Sequence, residues 1–502
     1  MPTSRHSSSE KRAVLPELGR RVPAWAVAGV LVGLALLQAA WIAALPPFRG
    51  ADEVDHVFRA SAVASGDWSS PAAAATRGTG ARVAASPEMV EAAGEACLRL
   101  AYKEPDDCRL VDRSGGPVVA SAAGRYLPTY YVVVGYATRL VDGAAGATLM
   151  RAWSALLCLA LLAAGLVGLR RWADRRVFAA AVLGVTPTVV YSTTVVAPNG
   201  LELIAGLVLW TSLAGLAAVP PARARYHLAT LTLSLSALML LRSLGPLWAA
   251  TIVAASVLAW PGLAGRLARL VRTASGRAAG GVVAVAAVVG VGWTLAEHSL
   301  VMSQDGPGGS LPLGFRVGRA LREVPLWLLQ DVAAFPFRNQ HAPLLVYPLA
   351  LLVVAALAVV GLRSAARRLR WSVAVILAVG LGLPYVVTVA TMSEIGTAWQ
   401  GRYALPLLIG VPLLLGAGWA RSRDGGLRRL AALVVLSALA VVHAAGVYAV
   451  AAEMSTARDW TVSGDVVGHP PVWVVGVLAA AGSVVLAGST VLSVAGRPAD
   501  AD

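Results

Sequence analysis

Pro46-Pro47-Phe48-Arg49-Gly50-Ala51-Asp52-Glu53-Val54-Asp55-His56-Val57-Phe58-Arg59-Ala60 follows at once on the uncharged run Val22–Leu45. An apolar run of that length covers the ~20 residues that a helix needs to cross the hydrocarbon core of a bilayer. The charged stretch after it therefore emerges at a membrane surface. The reading predicts a spanning helix, a proline stop, and a second helix lying beside the lipid head groups.

The rest of the chain agrees. Of its 502 residues, 57% are hydrophobic and 14% are charged, and the mean hydropathy is +0.68. A soluble chain carries about a quarter charged residues, so this composition is that of a polytopic membrane protein. Three cysteines are too few to staple a secreted scaffold of this length. Intrinsic disorder and collagen-like repeats are excluded by the same figures.

Apolar stretches of spanning length are Val22–Leu45, Thr148–Leu169, Val177–Val196, Leu201–Val219, Tyr226–Leu241, Leu244–Trp260, Ala278–Glu297, Pro343–Leu362, Trp371–Thr391, Tyr403–Ala420, Leu427–Ala452 and Val472–Val494. The expectation is thus an all-α bundle of about twelve spans. It forms one transmembrane domain over 22–494, between a basic tail at 1–21 and a short tail at 495–502. The apolar run at the start exceeds the 7–15 residues of a signal-peptide core, which favours a retained anchor.

With the amino terminus inside, the segments Arg170–Arg176, Pro220–Arg225, Pro261–Arg277, Arg363–Arg370 and Arg421–Arg429 are all cytoplasmic, and all are rich in arginine. That is the positive-inside pattern. Counting Tyr126–Val141 as a further span would reverse it, so this segment is expected to lie at the outer surface. The formal charge of +15 then follows from topology, and no nucleic-acid partner is expected. The long segments Pro46–Ala147 and His298–Ala342 fall outside, where the chemistry should sit. Cys97 and Cys108 share the first of them, an oxidising location that suits a disulfide, with two free thiols as the alternative.

Read as a helix from Ala51 to Ser65, ended by Gly66, the stretch places Asp52, Asp55, His56 and Arg59 on one face. An interfacial amphipathic helix is one explanation, since acids in a first turn also suit the helix dipole. The other is catalytic. A carboxylate beside the head groups can take a proton from an acceptor hydroxyl, or Asp52 and Glu53 together can hold a divalent cation. His56 can orient a carboxylate or, when protonated, bind phosphate.

The same run resembles the Pro-Pro-x-Asp-Glu-x-x-His-x-x-Arg-Ala signature of a bacterial membrane family known as domain of unknown function 2142, which is grouped with the GT-C glycosyltransferases. Tyr126-Leu127-Pro128-Thr129-Tyr130-Tyr131 is similar to the family's juxtamembrane Tyr-x-Pro-x-x-Tyr. Gln400-Gly401-Arg402-Tyr403-Ala404-Leu405-Pro406 is similar to its Gln-Gly-Arg-Tyr-x-x-Pro. The resemblance implies a GT-C-like bundle using a polyprenyl-phosphate sugar on the outer face of the cell membrane, with the acidic residue in the first outer loop. Related chains often carry an aspartate where this one has Asn199.

Arg402 stands at the outer mouth of a span, where a guanidinium can grip two phosphate oxygens or merely snorkel to lipid head groups. Arg242 is a second phosphate candidate. Arg338, beside Asn339, Gln340 and His341, lies near Trp327, Phe335 and Phe337; a sugar site or an interfacial aromatic belt explains the group, and the belt is favoured. Asp52, Glu53 and His56 are thus the expected catalytic residues, with Arg59, Tyr126, Tyr130, Arg242, Arg338, Gln400, Arg402 and Tyr403 expected to bind substrate. The expected function is sugar transfer from a polyprenyl-phosphate donor to an envelope glycan, lipid or protein acceptor. The alternatives are a transporter or flippase of lipid-linked glycans and a non-catalytic envelope scaffold. No Walker loop, HExxH pair or GxSxG elbow is present to support ATP hydrolysis, zinc proteolysis or serine hydrolysis.

Overall fold

A computed structural model describes residues 21–69, 80–113, 116–299, 311–335, 342–422 and 426–495, the last segment without its side chains up to residue 437. The architecture is all-α, with helices at each position where an apolar run predicts a span. The full number of spans is not reproduced by helix length and composition alone. Among the described residues, seven helices are long and apolar enough to cross unaided, or eight if one bent pair counts as a single span. The other predicted runs form shorter or broken apolar helices, among them Gly245–Ala259 and Leu405–Trp419. The run Val177–Val196 divides into Arg175–Leu183 and Pro187–Thr193, bent by 71°. Pro187 starts the second piece, where its missing N–H costs nothing.

Ala24–Ala44 is the first spanning helix, and Leu45 after it is extended (φ −116°, ψ 118°), as a residue before proline must be. This helix packs along Val472–Ala495, the last one. The approach is so close that a Cβ on Gly33 would stand 2.6 Å from the backbone nitrogen of Leu486. Small residues permit that contact in a bilayer, where van der Waals packing drives association.

Tyr126–Val141 does not form a spanning helix. It holds the short helix Thr129–Gly135 and a 3₁₀ turn over Tyr136–Arg139, too short to cross at 1.5 Å per residue. The segment 46–147 also folds a small antiparallel sheet, in which Gly116–Ser121 pairs with Ala81–Val83 and with Val111–Arg113. Cys97 and Cys108 are bonded to each other, with Cα atoms 5.6 Å apart. The segment 298–342 contains the helix Leu313–Val332, with Pro325 inside it. Arg338 and its neighbours to His341 lie outside the described residues.

Candidate functional site

The helix after the first span runs over Glu53–Ala64 and is buried along almost its whole length. It starts two residues later than its pattern suggests, because Asp52 takes a left-handed conformation (φ 58°). Aspartate tolerates that region better than most residues, and such a conformation outside glycine often marks a functional position. The turn carries the Asp52 side chain away from the face shared by Asp55 and Arg59. The backbone N–H of Ala51 donates to the Tyr191 hydroxyl at 2.8 Å, which anchors the turn.

The neighbouring charges go to separate partners. Glu53 has no exposed surface and is gripped by Arg151 of the spanning helix Gly143–Trp172, at 2.7 Å to Oε1 and 2.5 Å to Oε2. It also accepts from the backbone N–H groups of Gly50 (2.9 Å) and Val196 (3.1 Å). Arg151 donates its remaining bonds to the carbonyls of Leu45 and Pro46. Asp55 accepts from Lys103 Nζ (2.7 Å), the Tyr102 hydroxyl (2.8 Å) and the N–H of Ala122 (2.7 Å), which ties the helix to the sheet. Arg59 donates to the carbonyls of Asp67, Trp68 and Tyr126. Tyr130 donates to Ser154. Glu53, Asp55, Arg59 and Tyr130 therefore hold the scaffold, and the structure does not bring them to one surface with Asp52. Asp52 and Glu53 do not converge on a cation, since both oxygens of Glu53 accept from Arg151. Among the described residues no group of three or more His, Cys, Asp or Glu side chains could hold a metal ion.

Asp52 meets a different set. Arg402, in the short turn Gly401–Tyr403, donates through Nη2 to Asp52 Oδ2. The guanidinium of Arg402 lies 5.5 Å from the centre of the Tyr403 ring, and that of Arg242 lies 4.7 Å from it. Arg242 also donates to Glu202 at 3.4 Å and is hydrogen-bonded to Tyr126. Burial alone would disfavour charge on both arginines, but Asp52 with Tyr403 and Tyr126 with Glu202 outweigh it, and both pKa values are raised. Residues separated by hundreds of positions in sequence thus form one cluster of Asp52, Arg402, Tyr403, Arg242 and Tyr126.

His56 borders this cluster. Its Nδ1 is 2.7 Å from the Tyr131 hydroxyl, and its ring stands edge-on to Tyr126. Burial lowers its pKa from 6.5 to about 4, against the raising influence of Asp52 and Asp55 and with help from Arg242 and Arg402. At neutral pH His56 is therefore uncharged and orients its neighbours instead of binding phosphate as a cation. The unfolded chain takes up a proton near pH 6.5 that the folded chain refuses until about pH 4. Stability from this residue is complete above pH ~6.5 and falls by on the order of 3 kcal/mol as the pH drops to about 4. In thermal unfolding between pH 7 and pH 4, His56→Gln should flatten part of that fall. An identical slope in the variant would assign the proton uptake to another group.

Two contributors were not evident in the sequence. Arg151 sits inside an apolar run, and the signal for it is that a charge within a spanning helix needs a partner. Asp331, at the end of Leu313–Val332, has an enclosed Oδ1 with no hydrogen-bond partner among the described residues, and burial pushes its carboxyl well above the usual carboxylate range. It abuts the Arg402 turn. The N–H of Gly401 donates to Gln330 Oε1 at 2.8 Å, and a Cβ on Gly401 would approach Asp331 Oδ1 to 2.9 Å and the Trp327 carbonyl to 2.2 Å. Gln400 Nε2, Arg402 Nε and the indole nitrogens of Trp327 and Trp399 are likewise buried without partners among the described residues. Buried polar atoms are rarely left so. The Arg402 turn is therefore rich in donors that could meet the oxygens of a polar ligand.

The family model described as "Predicted membrane protein (DUF2142)" matches residues 34–411. Two crystal structures of ArnT from Cupriavidus metallidurans resemble the chain. One, bound to undecaprenyl phosphate, is 14% identical with a TM-score of 0.46, covering 95% of this chain and 78% of that one. The other, in the apo state, is 15% identical with a TM-score of 0.43, covering 94% and 78%. No curated protein sequence matches the chain.

Proposed function

The chain belongs to the DUF2142 family of predicted membrane proteins, and from that membership and the geometry of the Asp52 cluster we propose that it transfers a sugar from a polyprenyl-phosphate donor to an acceptor hydroxyl at the outer face of the cytoplasmic membrane. The observation that carries the reading is the convergence of one carboxylate, Asp52, with two arginines, Arg402 and Arg242, about the Tyr403 ring. Displacement of a phosphate needs both chemistries side by side. A base must take the acceptor proton, and positive charge must meet the departing phosphate.

In the proposed step the acceptor oxygen attacks the anomeric carbon as its proton passes to Asp52. The bond from that carbon to the phosphate oxygen breaks, and the electron pair leaves with the polyprenyl phosphate. Configuration inverts. Arg402, held by Asp52 before the donor enters, turns to the phosphate as charge grows there, which also frees Asp52 to accept the proton. Arg242 supplies the second guanidinium. Neutral His56 with Tyr131 and Tyr126 fixes the wall beside Asp52, while the Glu53–Arg151 pair holds the loop that presents it. The acceptor class is an envelope glycan, lipid or protein.

The test is incubation of the purified full-length protein with labelled polyprenyl-phosphate sugars, scoring release of polyprenyl phosphate. Release coupled to a new glycoside is the expected result. Movement of a lipid-linked glycan across a vesicle without release would replace transfer by flipping.

Arg402→Lys separates grip from mere charge. A planar guanidinium bonds two phosphate oxygens at once, and an ammonium is a point charge on a flexible stem. Losing one charge-assisted bond costs roughly 1.5–3 kcal/mol, about ten- to a hundredfold in transfer. Arg242→Lys is expected to lose less, because Glu202 still engages the charge. Negligible effects of both substitutions would remove the two arginines from phosphate binding.

A further inference from the structure

At the end of the bundle opposite Asp52, a cavity of about 510 Å³ is lined by Arg21, Arg170, Arg171, Arg223, Arg225 and Tyr226, with apolar flanks from Val22, Val219 and Ala222. The arginines come from separate elements. Arg21 precedes the first spanning helix, Arg170 and Arg171 end Gly143–Trp172, Arg223 closes a short turn, and Arg225 begins Arg225–Leu241. The walls are fixed. Arg171 lies 4.0 Å over the Tyr226 ring, whose hydroxyl donates to the Ala164 carbonyl, and the Arg21 carbonyl accepts from Arg175.

None of the five lining arginines forms an ion pair with a described residue. Among the described residues the acid at this end, Asp174, is engaged by Arg176. All five are exposed to solvent on the open side while lining the same concavity. Five guanidinium groups gathered around one concavity repel one another unless an anion joins them. The volume falls within the ~300–1,000 Å³ of ordinary ligand pockets, and each guanidinium can fork onto two oxygens.

We infer that this cavity binds a ligand carrying two phosphate groups. Basic pockets between helices at a membrane face hold the head groups of such lipids, and the apolar flanks of Val22, Val219 and Ala222 suit the start of their acyl chains. A soluble diphosphate offers the same charge. The inference does not depend on sugar transfer, since the cavity lies a helix length from Asp52.

The full-length protein is to be titrated with cardiolipin against phosphatidylcholine in nanodiscs, read by native mass spectrometry, and separately with inorganic pyrophosphate in detergent. Arg223→Gln/Arg225→Gln is compared with Arg367→Gln/Arg368→Gln, which removes the same charge from exposed positions outside the cavity. The expected result is preferential retention of cardiolipin, weakened about tenfold or more in the cavity variant and unchanged in the control. Retention should also fall with added salt. Pyrophosphate that binds with the same variant pattern and displaces the lipid assigns the soluble source. Arg223→Gln alone, in a solvent-facing turn, repeats the comparison should the double variant unfold. Equal binding by cavity and control variants, or no binding of either probe to the unaltered protein, overturns the inference.

Discussion

Asp52→Asn is expected to lower sugar transfer by about 10²–10⁴ while the protein remains folded and inserted. The amide keeps the shape of the carboxylate and can still accept a bond from Arg402, but it cannot accept the acceptor's proton. Asp52 stands outside the buried network that holds its helix, so its replacement leaves Glu53, Asp55 and Arg59 with all their partners. The measurement is release of polyprenyl phosphate from a labelled donor, alongside thermal unfolding in the same detergent. Transfer at the unaltered rate would remove Asp52 from the reaction and with it the proposed mechanism. Loss of activity together with loss of fold would instead make Asp52 a structural residue.

Arg151→Met is expected to destabilise the fold by about 3–5 kcal/mol, because it strands the Glu53 carboxylate in a site with no exposed surface. Two carbonyls, those of Leu45 and Pro46, lose their donor at the same time. Combining it with Glu53→Gln should recover part of the loss, since the remaining amide carries no charge to desolvate. The double-mutant cycle in thermal unfolding isolates the pairwise coupling. A cost below about 1 kcal/mol for Arg151→Met would mean that water reaches Glu53 and that the pair does not anchor the loop. The consequence for chemistry is indirect. Slackening this loop misplaces Asp52, so activity should fall even at temperatures where the variant is folded.

Sequence alone was a good guide to where helices form and a weaker one to where they break. Uncharged runs such as Val22–Leu45 must be helical in a bilayer, because every backbone N–H and C=O has to be satisfied within the segment. Whether a run stays unbroken depends on neighbours. The bend at Thr186–Pro187 is held by hydrogen bonds from Thr186 and Thr188 to the carbonyls of Asp331 and Gln330. Those partners lie more than a hundred residues away, and no local pattern announces them. The small sheet over residues 81–121 escaped notice for a related reason, since strands this short are defined by their pairing.

At the site, the sequence by itself determined the chemistry on offer. Its short motifs contain Asp52, His56, Tyr126, Arg402 and Tyr403, and the apolar runs between them place these motifs at membrane boundaries. Only the tertiary structure decided which residues work together. Helical periodicity grouped Asp52 with Asp55, His56 and Arg59. The left-handed turn at Asp52 parted it from that face, and burial committed Asp55 to Lys103 and Arg59 to backbone carbonyls. The physical reason is that a buried charge must find its partner wherever the fold supplies one. Periodicity records only which side chains share a face, whereas the partner of Asp52 lies 350 residues further along the chain.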